Sequence, residues 1–457
     1  MKKHLFILLI IFSFNSIQAQ VSWNMELLSM VDDNTIPDNG NNQWAYNEIW
    51  GYAENNREYA IVGSAAYIHF FDVTDPTNPI LVDQFAGGDT TIWRDIKTFE
   101  NYAYTISDET SEGMMIFDLS DLPNSVSLVS QSNTFFTKAH NIFIDTPNEK
   151  MYVAGSDVVN NGLIVLDIGT NPTSPELIGN DTLIDYVHDV YVRDNIAYCS
   201  HGNTGFAVWD YTDATEPILK ASLSTNGYNH SSWVSDDGTF AIFAEEVPPG
   251  LPMGTVDLTN VDNGFMEILS YFQFPLITDD DIFNTPHNPF ILGNYAFVSY
   301  YEDGVQVLDL TDPANPVLLG YFDTFPNNNN YQGYFGCWGV YPYLPSGNII
   351  ATDRKYGLHV MRFNDPNLVS VEDEFSEKDI AIFPNPSLDG VFNILNNKIE
   401  GQKTLLEVID VSGKLVFQKQ LSNTSEQINL SDLPNGFYFG KIKIGEKEVV
   451  KKLMVSK

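Results

Sequence analysis

Four of the eight histidines recur in one setting. His140-Asn141, His188-Asp189, His230-Ser231 and His287-Asn288 each stand at the start of a repeated unit. Two other units carry Trp50 and Trp338 at that place, and a third carries Trp93-Arg94-Asp95. Imidazole is the commonest metal ligand, and three or four converging with a carboxylate could hold Zn2+, Mn2+ or Fe. The spacing is far too wide for a local metal motif, so convergence rests wholly on the fold. The competing reading gives each histidine a hydrogen bond to the backbone of the next unit.

If the cluster is catalytic, Asp95, Asp189 or Glu245 could serve as base. Arg94 or Arg354 could then hold an anionic substrate such as a carboxylated sugar. Trp50, Trp93, Trp338, Tyr300, Tyr301 and Tyr334 either line a sugar-binding mouth or pack between units. The acidic runs Asp32-Asp33 and Asp279-Asp280-Asp281 are either Ca2+ ligands or solvated surface, and they lack the spacing of a calcium loop. No nucleophile elbow, phosphate loop or His-Glu-x-x-His helix is present. Catalytic residues therefore stay unassigned. Cys199 and Cys337 lie in strands of different units, open either to one disulfide or to two buried thiols.

Positioning such a ring requires a repeat. The stretch Tyr295–Pro316 reads as a strand, a turn at Glu302-Asp303-Gly304, a second strand and an Asp-Pro turn. Its variants occur seven times. Asp72, Asp118, Asp167, Asp210, Asp257 and Asp309 fall about 43 to 52 residues apart. Each unit offers four short strands; the second places them near 95–98, 102–107, 114–118 and 126–130. Helical periodicity is almost absent. Stacked radially, four-stranded units cover one another and leave few bare edges. The seventh unit lacks its own fourth strand, and the orphan strand at Trp23–Met30 fills it. The fifth unit, with VPPGLPMG at 247–254, has uncertain pairing. The fold class is therefore all-β: a seven-bladed β-propeller over residues 20–367, then an acidic linker at 368–379 and a small C-terminal β-sandwich at 380–457.

Thirty Phe, 23 Tyr, 31 Gly and 23 Pro in 457 residues suit short strands and tight turns. A formal net charge of −37 argues against nucleic acid or anionic membranes as partners and favours cations. Lys2 and Lys3 followed by apolar Leu5–Phe14 read as a secretory signal peptide over 1–19, too short to span a bilayer. No later stretch is apolar enough for a transmembrane segment. The expected state is an exported, monomeric protein with no membrane span.

The verse at Leu163–Asp167 and Val305–Asp309 resembles the bacterial LVIVD repeat. With AHNI (139–142), VHDV (187–190), GYFDTFP (320–326) and the block Trp338–Leu358, the wider chain resembles the secreted proteins called choice-of-anchor B. The resemblance implies a secreted or cell-surface propeller and no particular reaction. The segment after 379 opens with FPNP, carries an Asp-x-x-Gly-Lys hairpin at Asp410–Lys414 and an LPNGFY turn at Leu433–Tyr438. It resembles the C-terminal sorting domain of the type IX secretion system of Bacteroidetes. That resemblance implies export by the type IX machinery, followed by release or attachment at the cell surface.

Two functions are compatible with these residues. One is a propeller that binds an extracellular protein or glycan at the channel mouth. The other is a metal-dependent hydrolase or lyase acting on an extracellular polysaccharide, with a divalent transition metal, or Ca2+, as cofactor.

Overall fold

A computed structural model of the chain describes residues 22–38, 44–88, 90–158, 162–180, 186–276, 284–326, 331, 333–366, 380–396, 404–444 and 447–457. The signal peptide, the linker at 368–379 and the run Asp279-Asp280-Asp281 lie outside the described residues.

Among them, seven antiparallel sheets follow one another before residue 366. Blade two shows how they are built: Arg94–Phe99, Tyr102–Ser107, Met114–Asp118 and Ser127–Ser132, paired in sequence order. These bounds lie within two residues of the sequence expectation. The first strand of each blade packs on the first strand of the next, and Cys337–Tyr341 of blade seven returns to Tyr46–Glu54 of blade one. The ring is therefore closed.

The repeated aspartate has a structural task. Oδ1 of Asp72, Asp118, Asp210, Asp257 and Asp309 accepts the N–H two residues on, at 2.7 to 2.9 Å. Short polar side chains stabilise such turns by satisfying backbone that strand pairing leaves open. The repeat verse thus encodes the exit from the third strand. A register shift between third and fourth strands, seen in every blade, adds twist there. Blade five pairs as regularly as the rest, Phe240–Glu245 with Met253–Asp257, because its prolines stay in the loop between them.

Ring closure takes a form the sequence only partly foretells. Met25–Val31 pairs with Gly357–Phe363 and completes blade seven, as expected. Ser22–Trp23 instead adds a fifth strand to blade six, pairing with Phe322 and Tyr321. Asn24, at φ 51°, makes the step between the two sheets. Its side chain donates to Leu319 O at 2.7 Å and its carbonyl accepts from Asn364 N at 2.8 Å. Cys199 and Cys337 are buried and not joined in a disulfide.

Beyond 380, a three-stranded sheet (Ile380–Phe383, Val391–Asn396, Ser425–Asn429) faces a four-stranded one (Thr404–Asp410, Leu415–Leu421, Gly436–Ile444, Lys447–Val455). Leu406, Val408, Ile428 and Leu453 fill the space between them. Asp410 Oδ1 accepts from Ser412 N and Lys414 N, which accounts for the Asp-x-x-Gly-Lys pattern, with Gly413 at φ 86°. Phe383 meets Tyr321 of blade six at 6.2 Å between ring centres.

Candidate functional site

The innermost strand of each blade presents side chains to the central channel in tiers. At the mouth tier the strands begin irregularly. His230 falls inside a register shift between Asn229 and Ser231, and Trp338 inside one between Cys337 and Gly339. His140, His188 and His287 donate their N–H groups to Ala154, Ser200 and Ser299 just ahead of their strands. Such irregular starts let two consecutive residues face the same side. The histidine and the polar residue after it therefore both reach the channel.

Four imidazoles and one indole form an unbroken arc. Ring centres lie 4.0 Å apart for His140–His188, 4.5 Å for His188–His230, 4.5 Å for His230–His287 and 4.4 Å for His287–Trp338. Each histidine spends Nδ1 on the protein. His140 Nδ1 meets Asp108 Oδ2 at 2.7 Å, and His188 Nδ1 meets Tyr186 and Tyr228 hydroxyls at 2.9 Å. His230 and His287 use Nδ1 on the next blade's backbone, at His287 O (3.2 Å) and Trp338 O (2.6 Å). The ligand-capable nitrogens of His140, His188 and His230 fall within 4.8 Å of one another, and so do the ligand atoms of His230, Glu246 and His287. His188 Nε2 is buried with no hydrogen-bond partner. His230 Nε2 lies 3.7 Å from Glu246 Oε2.

The charges follow from this packing. Burial, then the neighbouring histidines, holds His188 well below the usual imidazole range. Burial and His230 do the same for His287, and burial lowers His230. Burial also works to lower His140, but the Asp108 hydrogen bond and charge outweigh it and leave it raised. Three neutral imidazoles beside one held by a carboxylate are a donor set suited to a metal.

The second tier is polar and buried. Asn141 Nδ2 donates to Asp95 Oδ2 and Asp189 Oδ2, each at 2.9 Å, and Lys97 Nζ reaches Asp95 Oδ1 at 2.5 Å. Burial and the Asp95 charge push Asp189 up to about 7 and Glu48 up to about 8. The third tier is aromatic: Trp50, Phe143, Tyr191, Trp233, Phe290 and Tyr341, with Lys97 over Trp50 at 4.5 Å. Only about 50 Å³ of open space remains among these tiers, whereas the mouth above the histidines opens into about 340 Å³.

Several expected residues take other places. Trp50 belongs to the aromatic tier, its Nε1 donating to Thr98 Oγ1 at 3.1 Å; Asn47-Glu48 is the true blade-one counterpart of the His pairs. Arg94 is consumed by the fold, donating to Ser64 O, Gly87 O and Glu112, so it has no free nitrogen for an anion. Glu245 turns away and accepts from Asn226 N and Gly227 N, while its neighbour Glu246 reaches the mouth. Tyr300 is packed in the blade-six core, whereas Tyr301 and Tyr334 line the mouth. Trp93 and Trp338 border the site, and Asp95 and Asp189 lie just beneath it. Asp33 is bound up in a local turn with Thr35.

The sequence reading missed Asp108, Glu246, Tyr186, Tyr228 and Trp44. Two signals were present. Asp108, Glu246 and Arg354 each follow the last residue of a second strand, so aligning those ends would have grouped them. Tyr186 and Tyr228 each stand two residues before a channel histidine.

Two family models that match segments of the chain agree with the architecture. LVIVD repeats match residues 151–182, 185–225 and 290–324, and a secretion system C-terminal sorting domain matches 381–456. No curated protein matches the chain significantly. A crystal structure of the computationally designed Ika8 protein is similar at 10% identity and a TM-score of 0.43, covering 90% of this chain and 96% of that one. The chain is thus a propeller with LVIVD repeats, and its sorting domain sends it through the type IX machinery to the cell surface or beyond. Among the described residues, no helix is long and apolar enough to cross a membrane.

Proposed function

For an exported LVIVD propeller, we propose that the channel mouth holds a divalent transition metal on His140, His188 and His230 and uses it on an extracellular glycan. One observation carries this reading: each histidine commits Nδ1 to the protein, and the buried Nε2 of His188 is left without a partner among its neighbours. Metal-bound histidines generally donate their other nitrogen to a carboxylate or carbonyl, which fixes the tautomer. An all-nitrogen set suits Zn2+, Mn2+ or Fe2+ and disfavours Ca2+. Such an ion would supply the polarisation of a bound sugar oxygen or the activation of water, with Glu246 alongside as base. Hydrolysis or elimination in an extracellular polysaccharide is the matching reaction class.

A second reading keeps the mouth as a metal-free binding site for a protein or glycan. It is favoured by His230 and His287, whose Nδ1 bonds tie blade five to six and six to seven. Metal analysis of the purified full chain separates the two. One equivalent of metal, absent from His188→Ala, supports the first. No metal in the wild type, with a lower melting temperature for the variant, overturns it in favour of the second.

A further inference from the structure

We infer that Arg354 is a carboxylate-binding residue, and that the ligand of the mouth is an acidic sugar whose carboxylate docks on its free edge. The inference rests on the proposed metal site only for where the rest of the sugar lies.

Arg354 is 2% exposed and borders the mouth cavity. Its Nη1 donates to Tyr334 O at 2.9 Å, which fixes the plane of the group. Its Nε and Nη2 are buried without a hydrogen-bond partner. These two N–H groups lie on one edge of the guanidinium and point the same way, the fork that grips both oxygens of a carboxylate. Leaving two donors of a buried cation unmade is costly unless something else satisfies them. Among the described residues no carboxylate forms an ion pair with Arg354. Glu246, which lines the same mouth, is occupied by the Tyr301 hydroxyl at 2.6 Å and by His230. Arg94 shows the contrast: equally buried, it has every nitrogen matched by the protein.

The setting favours a sugar acid. The Arg354 guanidinium carbon lies 3.4 Å from the ring centre of Trp44 and 4.6 Å from that of Trp338. The two indoles hold the cation rigidly, so little order has to be gained on binding. Trp338 is at the same time the last member of the histidine arc. A sugar bound through its carboxylate therefore lies with its hydroxyls toward His287 and His230. A cavity of about 340 Å³ is within the size of small-ligand sites.

The test uses the full chain, with glucuronate and digalacturonate as acidic probes, glucose as neutral control and inorganic phosphate as a different anion, followed by calorimetry. Wild type is expected to bind the acidic sugars and not glucose. Arg354→Gln is expected to weaken that binding about 10- to 100-fold while keeping its metal content, and Arg354→Lys to recover part of it. Because folding could fail in Arg354→Gln, Trp44→Leu serves as a second variant that removes one indole and leaves the charge. Equal binding of glucose and glucuronate, phosphate outcompeting glucuronate, or undiminished binding in a folded Arg354→Gln would overturn the inference. His188→Ala separates this result from the metal reading: loss of metal with retained preference for glucuronate leaves Arg354's role standing. A metal-free wild type that still prefers glucuronate does the same.

Discussion

His188 and His230 stand on neighbouring blades with ring centres 4.5 Å apart, although forty-two residues separate them in sequence. Neither is a ligand by local pattern. Their approach is produced by the repeat, which returns the chain to the same radius once per blade. His230 belongs to both groups of converging ligand atoms, so His230→Ala should abolish metal binding outright. His140→Ala and His287→Ala should differ, with the larger loss at His140. Metal content and titration calorimetry read this directly.

Asp108 positions His140 from outside the ring of ligands. Replacing it by Asn should weaken metal binding about 10- to 100-fold without removing a ligand. The variant's melting temperature without metal should change little by comparison, since a partly exposed pair contributes modestly to stability.

Trp23 is 3% exposed and packs in the core of blade six. Trp23→Ala should cost about 3–5 kcal/mol, measured by denaturant unfolding of the full chain. An exposed apolar residue on the same N-terminal segment, Met30, should tolerate Ala with a far smaller loss.

Asp323 is buried beside Asp353 and Glu302, and burial followed by these charges pushes it up to about 7. The folded protein therefore keeps a proton that the unfolded chain releases from about pH 4 upward. This group's contribution falls as pH rises from about 4 to 7 and then levels off. Asp323→Asn keeps an acceptor for Phe325 N and removes the titration. The variant should melt increasingly above wild type on going from pH 5 to pH 8.

Cys199 and Cys337 are fully buried, and burial, with Asp353 nearby, pushes the Cys337 thiol well up. Thiol reagents should label neither residue in the folded protein and both after denaturation. Resistance to labelling after denaturation without reductant would mean a disulfide instead.

The sequence made the architecture legible because each blade repeats its own instructions. Asp309 and its counterparts mark where a third strand ends, and alternation marks which residues face the neighbouring blade. The histidine ring was legible for the same reason. Arg94 and Arg354 could not be told apart in this way: both are arginines in blade loops or strand ends, and what distinguishes them is whether remote carbonyls such as Ser64 O and Gly87 O happen to satisfy the guanidinium. Glu245 and Glu246 differ by one residue, and the end of a strand decides which of them turns toward the channel. Trp50 was misplaced because the irregular start of its strand shifts the count between Tyr46 and Ile49.

The N-terminal segment that crosses from blade six to blade seven pairs with partners such as Phe322 and Phe363, at the far end of the propeller sequence. Contacts of that sequence separation form late, because the whole intervening chain must be in place first. The ring therefore behaves as an arch whose keystone is cut from its first stones. A nascent or partly translocated chain can stack blades one to five, but blade seven stays one strand short until both ends have arrived. Completion of the toroid thus reports that the propeller portion of the chain is intact from Ser22 to Phe363.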